Sequence, residues 1–315
     1  MIPSVADVMA ARRRIREWVD VTPLHDSAWL SSLAAQPVAL KLENVQRTGS
    51  FKIRGAFNAL ALLERGAKVV TASAGNHGRA VALAAEMLGL RATVFAPSDA
   101  PKAKLQAIER HGADLRRVGS YDEAEASARN FAREHGQPFV SPYNHPDVIA
   151  GAGTIALEIF DVEPHPATIV VPVGGGGLIA GIAIAARAIA PRVRIIGVEA
   201  EASTAFSTSL RNGRITEIDP RPTLADGLAG NLEPNSITFA IVQRLVEDVV
   251  TISEEELAAA IRGLAGEEHL IAEGAGAAAV AALVAGKVRA EGSTVAIVSG
   301  ANIDLSRLVG VLRGA

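Results

Sequence analysis

The chain has 315 residues, a net charge of −3 and a pI near 6.2, so no overall field recruits nucleic acid or an anionic membrane. It has no cysteine, which excludes disulfides, thiolate nucleophiles and cysteine-ligated zinc. Apolar residues make up 49% and aromatics only 4%, with 29 glycines, a profile that favours buried parallel strands under closely packed helices over a β-sandwich.

The opening MIPSVADVMAARRRIREWV reads as an amphipathic helix, with Arg12–Arg14 on a solvated face. It lacks the basic-then-apolar order and small-residue cleavage site of a signal peptide. VALKLE (Val38–Glu43) is strand-like, and Ser50 is placed as the N-cap of a helix running to Gly66. KVVTAS (Lys68–Ser73) is a strand, followed by a helix ending at Gly89 and the strand ATVFAP. A helix opened by Pro101 and closed by Gly112 leads to DLRRVG, a further strand, and to a helix over Tyr121–His135. ATIVVPVG, the helix LIAGIAIAARAIA and the strand VRIIGVE continue the alternation. RNGRITEIDPRPTLADG (Arg211–Gly227) is the most loop-like segment, and STVAIVSG supplies a last strand. The repeated β–loop–α units predict an α/β fold with a parallel sheet, helices on both faces and ligand sites at the carboxyl ends of strands. Charge, Gly or Pro interrupts every apolar run before it could span a bilayer, so a soluble, cytoplasmic protein is expected.

Three strand ends carry unusual loops. In VVPVGGGGLIAGIA, four consecutive glycines (Gly174–Gly177) leave a strand and open a helix. Without Cβ atoms, their amides can approach an anion at the positive helix end, which points to phosphate binding. Gly175, Gly177 and Ala180 also satisfy a dinucleotide fingerprint, with Glu199 ending the next strand, so a nicotinamide site remains open here. In TASAGNHGRA (Thr71–Ala80), the backbone donors could hold a carboxylate and Asn76 could add a side-chain hydrogen bond; a helix cap by Ser73 competes with this reading. In AIVSGANID (Ala296–Asp304), Ser299 ends a strand, and a capping hydroxyl is the plainer reading.

Lys52 lies between apolar residues in TGSFKIRGAFNAL. A snorkelling lysine is the ordinary explanation. In the first turn of a partly buried helix, however, burial and the dipole both lower the pKa, giving the neutral amine that Schiff-base chemistry needs.

Taken together, SFKIRGA, SAGNHG, VVPVGGGGLIAGIA, LADG and VSGAN resemble, in order and across nearly the whole chain, the fold-type II pyridoxal phosphate (PLP) enzymes of the serine/threonine dehydratase (ammonia-lyase) and serine racemase family. The resemblance implies a tryptophan synthase β-like α/β fold of two lobes, each with a mainly parallel sheet flanked by helices. It implies a small domain at residues 67–143 inserted in a large PLP-binding domain of residues 1–66 and 144–315. Lys52 would carry PLP as a Schiff base with Phe51 packed beside it, Gly174, Gly175, Gly176 and Gly177 would bind the phosphate, and Asn76 would contact the 3′-oxygen. Ser299 would meet the pyridine nitrogen, Glu273 would lie near the ring, and Ser73, Ala74, Gly75, Asn76 and His77 would grip the substrate carboxylate. The implied reaction is α,β-elimination from a β-hydroxy amino acid to a 2-oxo acid and ammonia, in a homodimer.

Departures from the family narrow the choice. Ala74 stands where racemases place a second, proton-carrying serine, and Tyr143 where they usually have Asn. Glu199 matches one ligand of the family's divalent-cation site, but Ala205 replaces the Asp, so no metal site is assigned. Ala152 in GAGT replaces the usual Gln, and the chain stops soon after SGANID, so control through an appended regulatory domain is not expected. The alternatives are a racemase on the same scaffold, an NAD-dependent oxidoreductase using the glycine turn and Glu199, and a non-catalytic binding module. Serine and threonine are the default substrates; phenylserine, hydroxyaspartate and an ectoine-pathway intermediate stay open.

Overall fold

The structure is a computed structural model that describes residues 1–314; Ala315, the far end of the expected large domain, lies outside them. α1 (Val5–Ile15) opens on a capping box in which Ser4 and Asp7 each accept from the other's amide. β1 (Leu24–Asp26), α2 (Ala28–Ala34), β2 (Val38–Leu42) and α3 (Lys52–Leu60) follow. Strand and helix then alternate through β3 (Lys68–Ala72), α4 (Asn76–Leu88), β4 (Arg91–Pro97), α5 (Lys102–Glu109), β5 (Asp114–Val118) and α6 (Tyr121–Glu134). After α7 (Pro146–Val162) come β6 (Thr168–Pro172), α8 (Gly177–Ile189), β7 (Arg194–Ala200), α9 (Ala205–Asn212), α10 (Ile237–Leu245) and β8 (Asp248–Ile252). α11 (Glu254–Gly266), α12 (Gly274–Val284), β9 (Thr294–Val298) and α13 (Leu305–Arg313) complete the chain. Residues 213–225 form neither helix nor strand, in line with their composition.

A six-stranded sheet runs β1-β2-β9-β6-β7-β8, parallel except for β1, and a three-stranded parallel sheet runs β3-β4-β5. The inner strands of the larger sheet, β2, β9, β6 and β7, are buried on both faces, which explains their near-continuous apolar sequence. Ile169, Val171, Val295 and Ile297 face one core with α7 and α8, while Val170, Ala296 and Val298 face another with α11 and α12. The smaller sheet repeats the pattern: Val69 and Val94 meet α3 and α4, and Val70 and Phe95 meet the alanines of α6. Among the described residues, no helix is long and apolar enough to cross a membrane.

Glycines bring three helices of the larger core into close contact. A Cβ on Gly151 of α7 would lie 2.5 Å from the Arg54 carbonyl oxygen of α3, and one on Gly181 of α8 would lie 2.3 Å from that of Ile149. The GAGT segment is therefore a helix crossing, with Ala152 buried beside it.

The same crossing holds a buried ionic cluster. Arg54, fully buried, donates to Glu43 through Nε and Nη2 at 2.7 and 2.8 Å, and to Glu158 through Nη1 and Nη2 at 2.6 and 2.9 Å. Lys41 on β2 donates to Glu158 at 2.6 Å and to the Thr22 carbonyl at 2.6 Å. Two cations and two carboxylates balance, as burial requires. Burial opposes ionisation of Glu158, but the Arg54 charge, its hydrogen bonds and Lys41 outweigh that and hold its pKa below the usual carboxylate value. Glu158 therefore contributes stability above pH ~4.5, lost as pH falls through its lower folded-state pKa. Arg54→Ala leaves two carboxylates buried without their main partner and should cost about 3–5 kcal/mol, measured by guanidinium denaturation at neutral pH.

Candidate active site

The backbone reaches Lys52 through a strained turn. Thr48 and Gly49 both lie in the left-handed region, at φ 66° and 71°, and for a β-branched threonine this costs about 1–3 kcal/mol. The turn is over-determined: the Asn302 side chain donates to the Thr48 carbonyl at 2.7 Å, and the Ala301 amide donates to that of Gly49 at 2.9 Å. Ser50, expected as the N-cap, is instead extended and bridges Gly300 as an isolated β-pair. Phe51 occupies the cap position without a side-chain cap, its amide donating to the Ser299 carbonyl at 3.1 Å. Lys52 is still in the first turn. The helix ends at Leu60, short of the expected Gly66, because the chain must turn for the Gly66 amide to reach the Gly89 carbonyl and enter β3.

Lys52 Nζ donates to the Pro142 carbonyl at 2.9 Å and lies 5.1 Å from the centre of the Phe51 ring. No carboxylate comes within ion-pair distance among the described residues. Burial pushes its pKa down to about 8, with Glu273 pulling weakly the other way. The amine opens into a cavity of about 750 Å³, which Ser73, Ala74, Gly75, Asn76, His77, Tyr143, Gly175 and Glu273 also line. Phe51, Gly174, Gly176, Gly177 and Ser299 do not line it; Phe51, Gly174 and Gly176 adjoin residues that do, Gly177 lies against Tyr143, and Ser299 Oγ donates to the Ala275 carbonyl at 3.3 Å.

The Ser73–His77 loop ends β3 and starts α4. Ser73 Oγ accepts from the Gly75 amide at 3.1 Å rather than capping the helix, and α4 begins at Asn76 with no side-chain cap. Asn76 donates to Glu273 at 2.6 Å and accepts from Asn302 at 2.6 Å, tying the loop to both α12 and the turn after β9. Burial raises the Glu273 pKa to about 7 against the opposing Asn76 hydrogen bond. His77 points away from this network, its Nε2 paired with the Val140 carbonyl at 3.2 Å. Burial and the neighbouring Lys52 lower its pKa to about 3, so it is neutral near pH 7 and adds no charge to the loop.

The glycine turn leaves β6 with Gly176 at φ 83°. Among the described residues, none of the amides of Gly174, Gly175, Gly176 and Gly177 donates to a protein acceptor. A Cβ on Gly175 would lie 2.3 Å from the Tyr143 ring and one on Gly176 would lie 2.4 Å from the Phe206 ring, so close packing demands these glycines as well. Glu199 does not serve the turn: its carboxylate accepts from the Phe206 and Ser207 amides at 2.6 and 2.9 Å and caps α9. That removes the ribose partner on which the nicotinamide reading depended.

Residues 15–300 match the family described as pyridoxal-phosphate dependent enzyme. The chain belongs to this family. It is 44% identical to the L-threonine ammonia-lyase of Thermotoga maritima, over 97% of this chain and 77% of that protein. It is 40% identical to the catabolic L-threonine dehydratase TdcB of Escherichia coli K12, over 97% and 94%. The structure of maize serine racemase superposes with a TM-score of 0.93 at 31% identity, covering 100% of this chain and 98% of that one. The processed form of threonine deaminase isoform 2 from Solanum lycopersicum gives 0.92 at 36% identity, covering 99% and 92%.

The site fits the cofactor of this PLP-dependent family. The Gly174–Gly177 amides, which meet no protein acceptor among the described residues, suit a phosphate at the N-terminus of α8, and a lysine amine with a lowered pKa opens into the cavity that Gly175 lines. Sequence reasoning missed Glu233, whose carboxylate accepts from Ser141 and Asn144 at 2.7 Å each, and Asn302, which joins Thr48 to Asn76. Polar residues in loops carry no periodic signal, so only the fold brings them together. In the unliganded protein, amine-directed labelling of Lys52 should show a midpoint near pH 8, well below that of an exposed lysine, measured by peptide mass spectrometry across a pH series.

Proposed function

We propose that the chain is a PLP-dependent ammonia-lyase that removes water from a serine- or threonine-like β-hydroxy amino acid, releasing a 2-oxo acid and ammonia. The observation that carries this reading is one cavity lined by Lys52, whose amine has a lowered pKa, by the Ser73–His77 loop and by Gly175 of the glycine turn. The names of relatives at 40–44% identity support the substrate class.

Bound there, PLP supplies the carbonyl that captures an amino acid's amine and the ring that accepts the electron pair left at the α-carbon. The amides of Gly174–Gly177 would hold its phosphate at the positive end of α8. Asn76 would meet the 3′-oxygen, Glu273 would lie beside the ring, Phe51 would pack against it, and Ser299 Oγ would serve the ring nitrogen. A hydroxyl there does not force that nitrogen to stay protonated, which weakens the electron sink and suits prompt elimination. The backbone of Ser73–His77 grips the substrate carboxylate. Lys52 Nζ would take the α-proton, and its burial away from any ion-paired carboxylate favours the neutral amine that a base requires. The β-hydroxyl leaves with a proton as water, and the product hydrolyses to the 2-oxo acid and ammonia.

Racemisation needs a second group to return a proton to the opposite face. The methyl of Ala74, which lines the cavity, has none to give, so elimination is favoured over the racemase alternative despite the likeness to maize serine racemase. Residues 67–143 are taken as the small domain inserted in the large one, and a cytoplasmic homodimer as the working form. Lys52→Ala should abolish the near-violet absorption of the cofactor-loaded protein and lower 2-oxo acid release by at least about 1000-fold. A wild-type protein that stays colourless with PLP yet binds NAD contradicts the proposal.

A further inference from the structure

Glu233 lies on the segment between the Asp226–Leu228 turn and α10, and its side chain is 15% exposed. Oε1 accepts from Ser141 Oγ at 2.7 Å and Oε2 from Asn144 Nδ2 at 2.7 Å. Its amide donates to Tyr143 Oη at 2.9 Å. Asn144 Oδ1 in turn accepts from the Ile237 amide at 2.9 Å, and Arg129 of α6 lies 2.7 Å from Oε2, balancing the charge. Of the four consecutive residues 141–144, the Glu233 carboxylate holds Ser141 and Asn144, and the Glu233 main-chain amide holds Tyr143. The fourth, Pro142, has no amide with which to anchor itself, and its carbonyl is the acceptor for Lys52 Nζ. Tyr143, whose hydroxyl accepts from the Glu233 main-chain amide rather than meeting its carboxylate, lies between Ser141 and Asn144 and against both Gly175 and Gly177.

We infer that Glu233 is a positioning residue for the active site, setting through residues 141–144 both the acceptor of the Lys52 amine and the wall that shapes the glycine turn. The geometry stands independently of the reaction; only the catalytic readout rests on the proposed function. A mere staple between segments would change stability. A positioning residue also changes the affinity for PLP and the titration of Lys52, because it sets where the amine and the phosphate amides lie.

The test compares Glu233→Ala, Glu233→Gln and Asn144→Ala with wild type. Four quantities are read: PLP dissociation constant by absorbance titration, pH midpoint of Lys52 labelling in the apoprotein, Tm, and kcat against KM for threonine. Glu233→Ala and Asn144→Ala should each raise the PLP dissociation constant about tenfold or more and shift the labelling midpoint. Glu233→Gln, whose carboxamide oxygen can still accept from Ser141, should recover part of the loss, and kcat should fall more than KM rises. PLP affinity within about twofold of wild type and an unshifted midpoint, with only Tm lowered, overturn the inference. Should Glu233→Ala fail to fold, Asn144→Ala decides, since it cuts the same clamp without stranding a charge. A wild type that binds PLP but releases no 2-oxo acid defeats the functional reading, while the two binding readouts still judge Glu233.

Discussion

Arg54 can keep its charge in the core only by sitting between Glu43 and Glu158, and the placement of Lys52 depends on that requirement. The guanidinium is two residues beyond Lys52 on α3, and its partners come from the end of β2 and from α7. Fixing Arg54 therefore fixes the first turn of α3 against the larger sheet and the helix behind it. Buried pairs of this kind add little net stability over a well-packed apolar replacement, yet removing one member is costly. The cluster is best understood as a registry device: α3 has only one position in which all four charges are satisfied. The glycine contacts at the α3–α7–α8 crossing make that position sterically attainable.

The two lysines near this crossing show how the surroundings divide the chemistry. Lys41 is almost fully buried, and burial lowers its pKa, but Glu158 at 2.6 Å and Glu43 oppose that shift and keep it within a structural pair. Lys52 has a carbonyl for a partner and no carboxylate within ion-pair reach, so burial carries its pKa down to about 8. Glu273 is displaced in the opposite sense, up to about 7, by the same loss of solvation. The cavity thus brings an amine and a carboxyl towards their neutral forms near physiological pH, where proton exchange is cheapest. Behind the amine, the strained Thr48–Gly49 turn is held by Ala301 and Asn302 of the segment after β9, as expected where a side chain must be delivered to one position.

Much of this was legible in the chain. The alternation of strands and helices was readable because both faces of each sheet are covered, giving short apolar runs bounded by Gly and Pro. The glycine turn, the Asn-His loop and the lysine stood out because each breaks a local pattern. What the sequence concealed were interactions between segments far apart. Ser50 looked like a cap from local chemistry, but pairing with Gly300 claims its backbone first. Glu199 looked like a ribose ligand because it ends the right strand, but the adjacent α9 amides capture it. Arg54, Glu43 and Glu158 each break an apolar run, a signal as strong as that of Lys52, yet nothing local says they meet. Glu233 sits in an irregular loop where a carboxylate is unremarkable until Ser141, Asn144 and Arg129 are seen to converge on it.

The proposed elimination turns on Lys52 removing the α-proton while Ala74, where racemases place a serine, offers no group to return it on the opposite face. The most direct measurement follows L-serine with the PLP-loaded protein, quantifying 2-oxo acid, ammonia and D-serine over time. The account predicts 2-oxo acid and ammonia in equal amounts with no D-serine detectable beside them. D-serine formed at a rate comparable to 2-oxo acid release would contradict it.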